Sequence, residues 1–138
     1  MRPASFRPDA WRGERPSTPG QIDYRLIRRH TVDEFKRGRL SRLDVCDAQP
    51  ELMRAAVNCG RTMTEACPIC DDEQLRLVSF VFGPRLPAHG RCITTARELD
   101  RLGRRVDTLA CYMVEVCPGC RWNHLVRSFP IGGRRARS

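Results

Sequence analysis

The sequence has little lysine, few aromatic residues and no long apolar run. Only Lys36 among its 25 basic residues is a lysine, and aromatic residues make up 7% of the chain. The longest apolar stretches, residues 78–82 and 109–116, are too short to cross a bilayer, and the first twenty residues lack the apolar core of a signal peptide. These absences argue against a membrane or secreted protein, and we expect a cytoplasmic one.

Motifs of the common enzyme classes are also missing. The chain contains no serine, histidine and aspartate arrangement, no paired catalytic carboxylates, no phosphate-cradling glycine loop and no HExxH motif. The sequence therefore contains no recognisable catalytic motif for hydrolysis or phosphoryl transfer. We predict that the protein is not an enzyme.

The formal net charge of +9 is spread along the chain and is concentrated only at its end. A positive balance of this size favours polyanionic neighbours such as nucleic acid, although it provides no specific recognition. Residues 1–20 contain prolines and scattered arginines without periodicity and predict a disordered basic arm. Residues 132–138 predict a flexible basic tail.

What the sequence does contain is two short cysteine pairs, Cys67-Pro-Ile-Cys70 and Cys117-Pro-Gly-Cys120. A CxxC turn brings two sulfurs to one side of a tight loop, and two such loops can complete a tetrahedron around zinc. We predict one structural Zn²⁺ held by these four cysteines. The 46 residues between Cys70 and Cys117 exceed the roughly 15 to 20 of the simplest zinc ribbon, so the intervening chain must loop out and return.

Two other chemistries compete for the same cysteines. Disulfides would suit a secreted chain, which the sequence does not favour. Thiol-disulfide catalysis is suggested by the CPxC pattern, whose reactive thiol is activated at a helix N-terminus. The negative charge of acidic residues 71–73, just after Cys70, would disfavour a thiolate nucleophile, however, and the sequence after Cys120 favours a strand rather than a helix.

Cys46, Cys59, Cys92 and Cys111 have no CxxC partner and are expected to be small buried hydrophobes. A second site that joins Cys46, Cys59 and His30 is an alternative that the intervening helix disfavours. Close to the second cysteine pair, Trp122, Asn123 and His124 are candidates for contact with a partner or for hydrogen bonding to a zinc-bound sulfur, with a surface histidine as the alternative.

The periodicity predicts an α+β protein with three segments after the arm. Residues 21–60 predict a small helical head: a first helix near Ile22, a second opened by a capping box at Thr31 and ended by Gly38, and a third from Pro50 to Gly60. Residues 61–131 predict a zinc ribbon, a three-stranded antiparallel sheet, with a helical insertion at about 94–104 between the two knuckles.

Six short motifs of this chain resemble an uncharacterised actinobacterial protein family of unknown function. They lie between about residues 22 and 131: Val45-Cys-Asp-Ala48, Leu52-Met-Arg-Ala-Ala56, Cys67-Pro-Ile-Cys70, Val81-Phe-Gly83, Val114-Glu-Val-Cys117 and Cys120-Arg-Trp-Asn-His-Leu125. The resemblance implies a small cytoplasmic protein with a split zinc ribbon whose ligands are Cys67, Cys70, Cys117 and Cys120. It implies no activity. The arginine-rich N-terminal extension, Cys92 and Cys111 depart from the family pattern.

Two functions fit these features. The first is a non-enzymatic structural-zinc accessory protein that docks on RNA polymerase, the ribosome or nucleic acid; a helix-turn-helix within residues 22–60 is one form of it. The second is a zinc-stabilised protein-protein adaptor without nucleic-acid contact. The first predicts binding that weakens steeply with salt, and the second predicts binding that survives it.

Overall fold

The computed structural model describes residues 20–133, which form four helices and six strands. In chain order the elements are β1 (Ile22–Asp23), α1 (Arg25–Lys36), α2 (Arg42–Val45), α3 (Pro50–Cys59), β2 (Arg61–Ala66), β3 (Gln74–Phe82), β4 (Arg91–Ile93), α4 (Ala96–Gly103), β5 (Thr108–Val116) and β6 (Asn123–Gly132). All strand pairs are antiparallel, and the sheet runs β1-β6-β5-β3-β2. β4 pairs with β3 beyond the end of β2.

One face of the sheet packs against α3. Strands β3 and β5 are mostly apolar. Successive side chains of a strand point to opposite faces of the sheet, so every second side chain points to this face. Leu52 and Ala56 of α3 are fully buried there against β3 and β5 side chains such as Val78 and Tyr112. This contact forms the largest part of the core.

The opposite face carries a helix at each end. Val32 of α1 packs beside Leu75 and Trp122 at the end where β3 begins. Leu102 of α4 packs beside Val81 at the end where β3 finishes. The first of these two clusters also contains the cysteine pairs, so α1 and the cysteines occupy the same end of the sheet.

The predicted helical head followed by a three-stranded zinc ribbon is wrong. The sheet has six strands, and β1, β2 and β4 were the ones missed. β1 and β4 have only two and three residues. β2 is polar and exposed at all but one of its positions, so it lacks the alternation by which half-buried strands are found in a sequence.

The predicted helix starts before residue 50 are also wrong. Thr31 lies inside α1, where its hydroxyl donates to the carbonyl oxygen of Ile27 (3.0 Å) instead of capping a new helix. The capping box is at Ser41 and Asp44, at the start of α2. Gly38, just beyond α1, has the left-handed φ of 80° expected of a residue after a helix.

Two helix starts were predicted correctly. α3 begins at Pro50, where a missing N–H costs nothing. α4 has Thr95 as its N-cap, whose hydroxyl oxygen accepts from the backbone N–H of Glu98 at 3.1 Å. These two starts carry strong local signals that do not depend on tertiary contacts.

Gly90 closes the loop that leads into β4, and it requires glycine for two reasons. Its φ is 91°, and an added Cβ would lie 2.7 Å from Cζ of Phe82. We expect Gly90→Ala to lower the free energy of unfolding by about 2 kcal/mol, through left-handed strain and overpacking. Gly103→Ala is the control, because no heavy atom lies within 4 Å of its added Cβ. Urea denaturation of both variants measures their free energies of unfolding, and equal values would contradict the prediction.

The predicted basic arm, apart from Gly20, and residues 134–138 of the predicted tail lie outside the described residues. Gly132 belongs to β6. No helix within residues 20–133 has the length and apolar character required to cross a membrane.

Candidate metal centre

The two cysteine pairs lie in the loops of two neighbouring hairpins. Cys67 follows the last residue of β2, and its loop leads into β3. Cys117 follows the last residue of β5, and its loop leads into β6. Because Arg76 near the start of β3 pairs with Val116 at the end of β5, both loops lie at the same end of the sheet.

The two loops have the same backbone geometry. The N–H of Asp71 donates to the carbonyl oxygen of Cys67 (3.0 Å), and the N–H of Arg121 donates to that of Cys117 (3.1 Å). Both donors have left-handed φ values, 61° and 75°, which are uncommon for residues other than glycine. Each loop is therefore a tight knuckle that turns both of its sulfurs to the same side.

The four sulfurs of Cys67, Cys70, Cys117 and Cys120 lie within 4.8 Å of one another, and we call this group the four-cysteine cluster. Across the two loops, the Sγ atoms of Cys67 and Cys120 are 3.6 Å apart and those of Cys70 and Cys117 are 3.7 Å apart. A tetrahedron with Zn–S bonds of about 2.3 Å has edges of about 3.8 Å. The cluster could therefore hold a metal ion.

Backbone amides add to the electrostatics of the cluster. The N–H of Ile69 donates to Sγ of Cys67 (3.4 Å), and the N–H of Cys120 donates to Sγ of Cys117 (3.3 Å). Burial raises the pKa of Cys67 to about 11 and also raises that of Cys120. The thiolate forms that bind metal therefore require a compensating cation, and metal binding should release protons.

Cys70 differs from the other cluster thiols. Burial alone would raise its pKa, but hydrogen bonds from the backbone of Asp72 and Glu73 and from neighbouring thiols bring the pKa below its usual value. The acidic residues after Cys70 thus stabilise its thiolate through their amides. Sequence reasoning had considered only their negative charge.

Apolar side chains enclose the inner side of the cluster. Cys67 and Cys117 are fully buried beside Val45 of α2 and Trp122. Val32 and Phe35 of α1 pack into the same group. The cluster therefore lies where the first two helices meet the sheet.

Known proteins similar to this chain include a family of unknown function and two mycobacterial relatives. A model of the family of unknown function DUF5318 matches residues 17–138. The chain belongs to this family. An uncharacterized protein of Mycobacterium tuberculosis, Rv0049, and one of Mycobacterium bovis, Mb0050, are each 46% identical to it over 114 residues, which is 83% of either chain. No solved structure matches the chain. The resemblance to an uncharacterised actinobacterial family is confirmed.

The three candidate residues that follow Arg121 are in the interior. Trp122, Asn123 and His124 are at most 1% exposed, so their side chains contact protein atoms. Nδ2 of Asn123 donates to Asp47 (2.7 Å), and Nδ1 of His124 lies 2.8 Å from the carbonyl oxygen of Leu125. This is a structural position rather than a surface that a partner could reach.

The alternative second metal site does not form. Among residues 20–133, the four-cysteine cluster is the one group of three or more ligating side chains close enough to share an ion. Cys46 lies beside this cluster, with its sulfur 3.6 Å from that of Cys120. Cys59 forms a hydrogen-bonded thiol pair with Cys92, and His30 is exposed on α1.

Sequence reasoning missed the carboxylate that joins α1 to the sheet. Glu115, the next-to-last residue of apolar β5, is 3% exposed. One of its oxygens, Oε2, accepts from Nε of Arg28 (2.7 Å) and from Nε1 of Trp122 (2.8 Å). The signal was available, because a charged residue within an apolar strand requires a buried partner.

Proposed function

We propose that the protein is a non-enzymatic accessory protein with one structural Zn²⁺, which docks on nucleic acid or on the transcription or translation machinery. The observation that carries the zinc is the four-cysteine cluster. Four thiolates at these separations fill a tetrahedral coordination sphere and leave no position for water or substrate. Such a closed site stabilises a fold and does not catalyse a reaction.

The cluster would fix the helices on the sheet. Its two loops belong to different hairpins, and Val32 of α1 and Val45 of α2 pack in the same apolar group as Trp122 and the buried cluster cysteines. A metal bound here connects the two hairpins and supports the surface on which the helices rest. The outer face of α1 is then held in a defined orientation relative to the first knuckle.

A groove of about 450 Å³ lies between one side of α1 and the first knuckle. Its lining is mainly basic and consists of Arg25, Arg28, Arg29, Val32, Asp33, Lys36 and Pro68. Carboxylates already pair with Arg25 and Arg28, through Asp23 and Glu115. Arg29 and Lys36 form no ion pair with another residue of the described range 20–133, so they are the cations that phosphates would contact.

Replacing Arg29 and Lys36 tests nucleic-acid docking. We expect Arg29→Gln with Lys36→Gln to weaken binding to a labelled RNA or DNA duplex and to reduce the slope of log K against log salt by about 2, since each lost phosphate contact removes about one unit. Fluorescence anisotropy across a salt series measures both quantities. Removing the same charge from exposed α4 positions, with Arg97→Gln and Arg101→Gln, is the matched control.

An equal effect of the two double variants would show attraction by net charge alone. Binding whose affinity does not change with salt would contradict docking through phosphates. Either result would exclude the proposed role of the α1 groove.

One observation favours the second candidate, a protein-protein adaptor. Ile22 of β1 is 40% exposed, and Leu26 and Ile27 at the start of α1 are 79% and 39% exposed, close in sequence to the same arginines. Exposed apolar side chains beside arginine are typical of a protein interface. A protein partner that remains bound at high salt and after nuclease treatment, and is lost with Leu26→Glu, would select this function.

A further inference from the structure

A fifth cysteine contacts the four-cysteine cluster. Cys46, the residue after α2, donates its S–H to Sγ of Cys120 across 3.6 Å. The same distance separates the cluster sulfurs of Cys67 and Cys120. Cys46 is therefore as close to Cys120 as a fellow ligand is.

Hydrogen bonds hold this contact in place. The N–H of Ala48 donates to the carbonyl oxygen of Arg121 (3.0 Å), and Nε of Arg121 donates back to that of Ala48 (2.9 Å). Nδ2 of Asn123 donates to Oδ1 of Asp47 (2.7 Å). All three bonds join residues just after Cys46 to residues just after Cys120, so the fold itself positions the two sulfurs together.

Solvent can reach both sulfurs of this pair. Cys46, Cys120 and the cluster residue Cys70 are half-buried, whereas Cys67 and Cys117 are fully buried. A small oxidant from solvent can reach a half-buried sulfur more easily than a fully buried one. Susceptibility to oxidation follows thiolate character and exposure, and metal-bound Cys120 and Cys70 would both have these properties. Cys120 is the one of the two whose sulfur lies 3.6 Å from that of Cys46, a cysteine outside the ligand set.

We propose that Cys46 and Cys120 are a peroxide-sensitive disulfide site, in which Cys120 is the sulfur oxidised first and Cys46 is the resolving thiol. This inference rests on the proposed zinc. Disulfide formation removes Cys120 from the ligand set, so peroxide releases the metal and loosens the contact between the helices and the sheet.

The chemistry balances with one hydrogen peroxide. The Cys120 thiolate attacks one peroxide oxygen, the O–O bond breaks, hydroxide leaves, and Cys120 becomes a sulfenic acid. The sulfur of Cys46 then attacks the sulfur of Cys120, the S–O bond breaks, and the thiol proton leaves with the hydroxyl group as water. The two sulfurs supply the two electrons that reduce the peroxide. They must close from 3.6 Å to a bond of about 2.05 Å.

The test treats the zinc-loaded full chain with hydrogen peroxide. Zinc release is followed with a chromogenic chelator, and disulfides are mapped by mass spectrometry of peptides. The unmodified chain should form the Cys46–Cys120 disulfide and should rebind its zinc after treatment with dithiothreitol. In Cys46→Ser we expect recovery of zinc to fall about fivefold or more, since unresolved Cys120 oxidises further to a sulfinic acid that thiols do not reduce.

Control variants keep this result interpretable. Cys59→Ser makes the same substitution at another half-buried cysteine and should behave like the unmodified chain. Cys46→Ala repeats the test without a hydroxyl group in case serine disturbs the fold. Because Cys46 is not among the four ligands, zinc content before peroxide should be unchanged in all three variants.

Different outcomes overturn different statements. A disulfide between Cys67 and Cys120, or between Cys70 and Cys117, with Cys46 still reduced would overturn the role of Cys46. Equal recovery of zinc in Cys46→Ser and the unmodified chain would do the same. If the purified chain binds no zinc, the proposed function fails; if it binds zinc but forms no Cys46–Cys120 disulfide, only the peroxide site fails.

Discussion

Cys117→Ser is expected to abolish metal binding and to unfold the end of the sheet that carries the cysteines. Cys117 is fully buried among Val45, Leu75 and Trp122, and its sulfur is one of the four in the cluster. Binding at a structural zinc site contributes on the order of 10 kcal/mol or more, which is comparable to the whole stability of a domain of this size. Losing one of four thiolates should therefore leave little of the native state at room temperature.

The measurement combines metal content with the fluorescence of Trp122. Native mass spectrometry should find one zinc per unmodified chain and none in Cys117→Ser. Trp122 is fully buried in the native state, so unfolding should shift its emission to the red. Trp11, the second tryptophan, is replaced by phenylalanine in every protein so that Trp122 alone reports.

Cys111→Ala is the control for loss of a buried cysteine outside the cluster. Cys111 is fully buried on β5, where it packs with Val81 and Leu109. We expect this variant to keep its zinc and to lose about 1 kcal/mol of unfolding free energy. A chelator added to the unmodified chain should reproduce the effect of Cys117→Ser. Cys117→Ser with a full complement of zinc and native fluorescence would refute the assignment.

The four-cysteine cluster could be predicted from the sequence because its signal is local. Two CxxC pairs, each beside an apolar strand, bring sulfurs together in any fold that places the two hairpins side by side. The long gap between them proved to hold β4 and α4 in addition to β3 and β5. The cysteine pairs therefore predicted the cluster correctly, but the three-stranded zinc ribbon predicted around them was wrong.

The remainder of the sheet could not be predicted because its edges carry little hydrophobic pattern. β2 is exposed at all but one of its positions and β1 has two residues, so both exist only through pairing with β3 and β6. The same limit applies to Cys46. Its contact with Cys120 bridges 74 positions of the chain and depends on the hydrogen bonds between Ala48 and Arg121. Contacts between residues that are far apart in the chain do not produce a periodic pattern in the sequence.

The ion pair between Arg28 and Glu115 is the second contact whose loss should have a large effect. Nε of Arg28 lies 2.7 Å from Oε2 of Glu115, whose side chain is only 4% exposed. Arg28→Met removes the cation and leaves the carboxylate buried with Trp122 as its remaining donor at the same oxygen. Removing one partner of a buried pair usually costs about 3–5 kcal/mol, because the other charge is left uncompensated. We expect a loss of unfolding free energy in this range.

A double variant separates the effect of the uncompensated buried charge from the effect of the lost Arg28 packing. Adding Glu115→Gln to Arg28→Met removes the uncompensated charge and keeps an oxygen that can accept from Trp122, so at least about 2 kcal/mol should return. Arg25→Met is the matched control on the same helix. Its ion pair with Asp23 has a similar separation of 2.6 Å, but the two side chains are 77% and 46% exposed, and little change is expected. Urea denaturation of the zinc-loaded proteins provides all the values. Equal losses in Arg28→Met and Arg25→Met would mean that Glu115 remains solvated, and α1 would then be held on the sheet by apolar contacts alone.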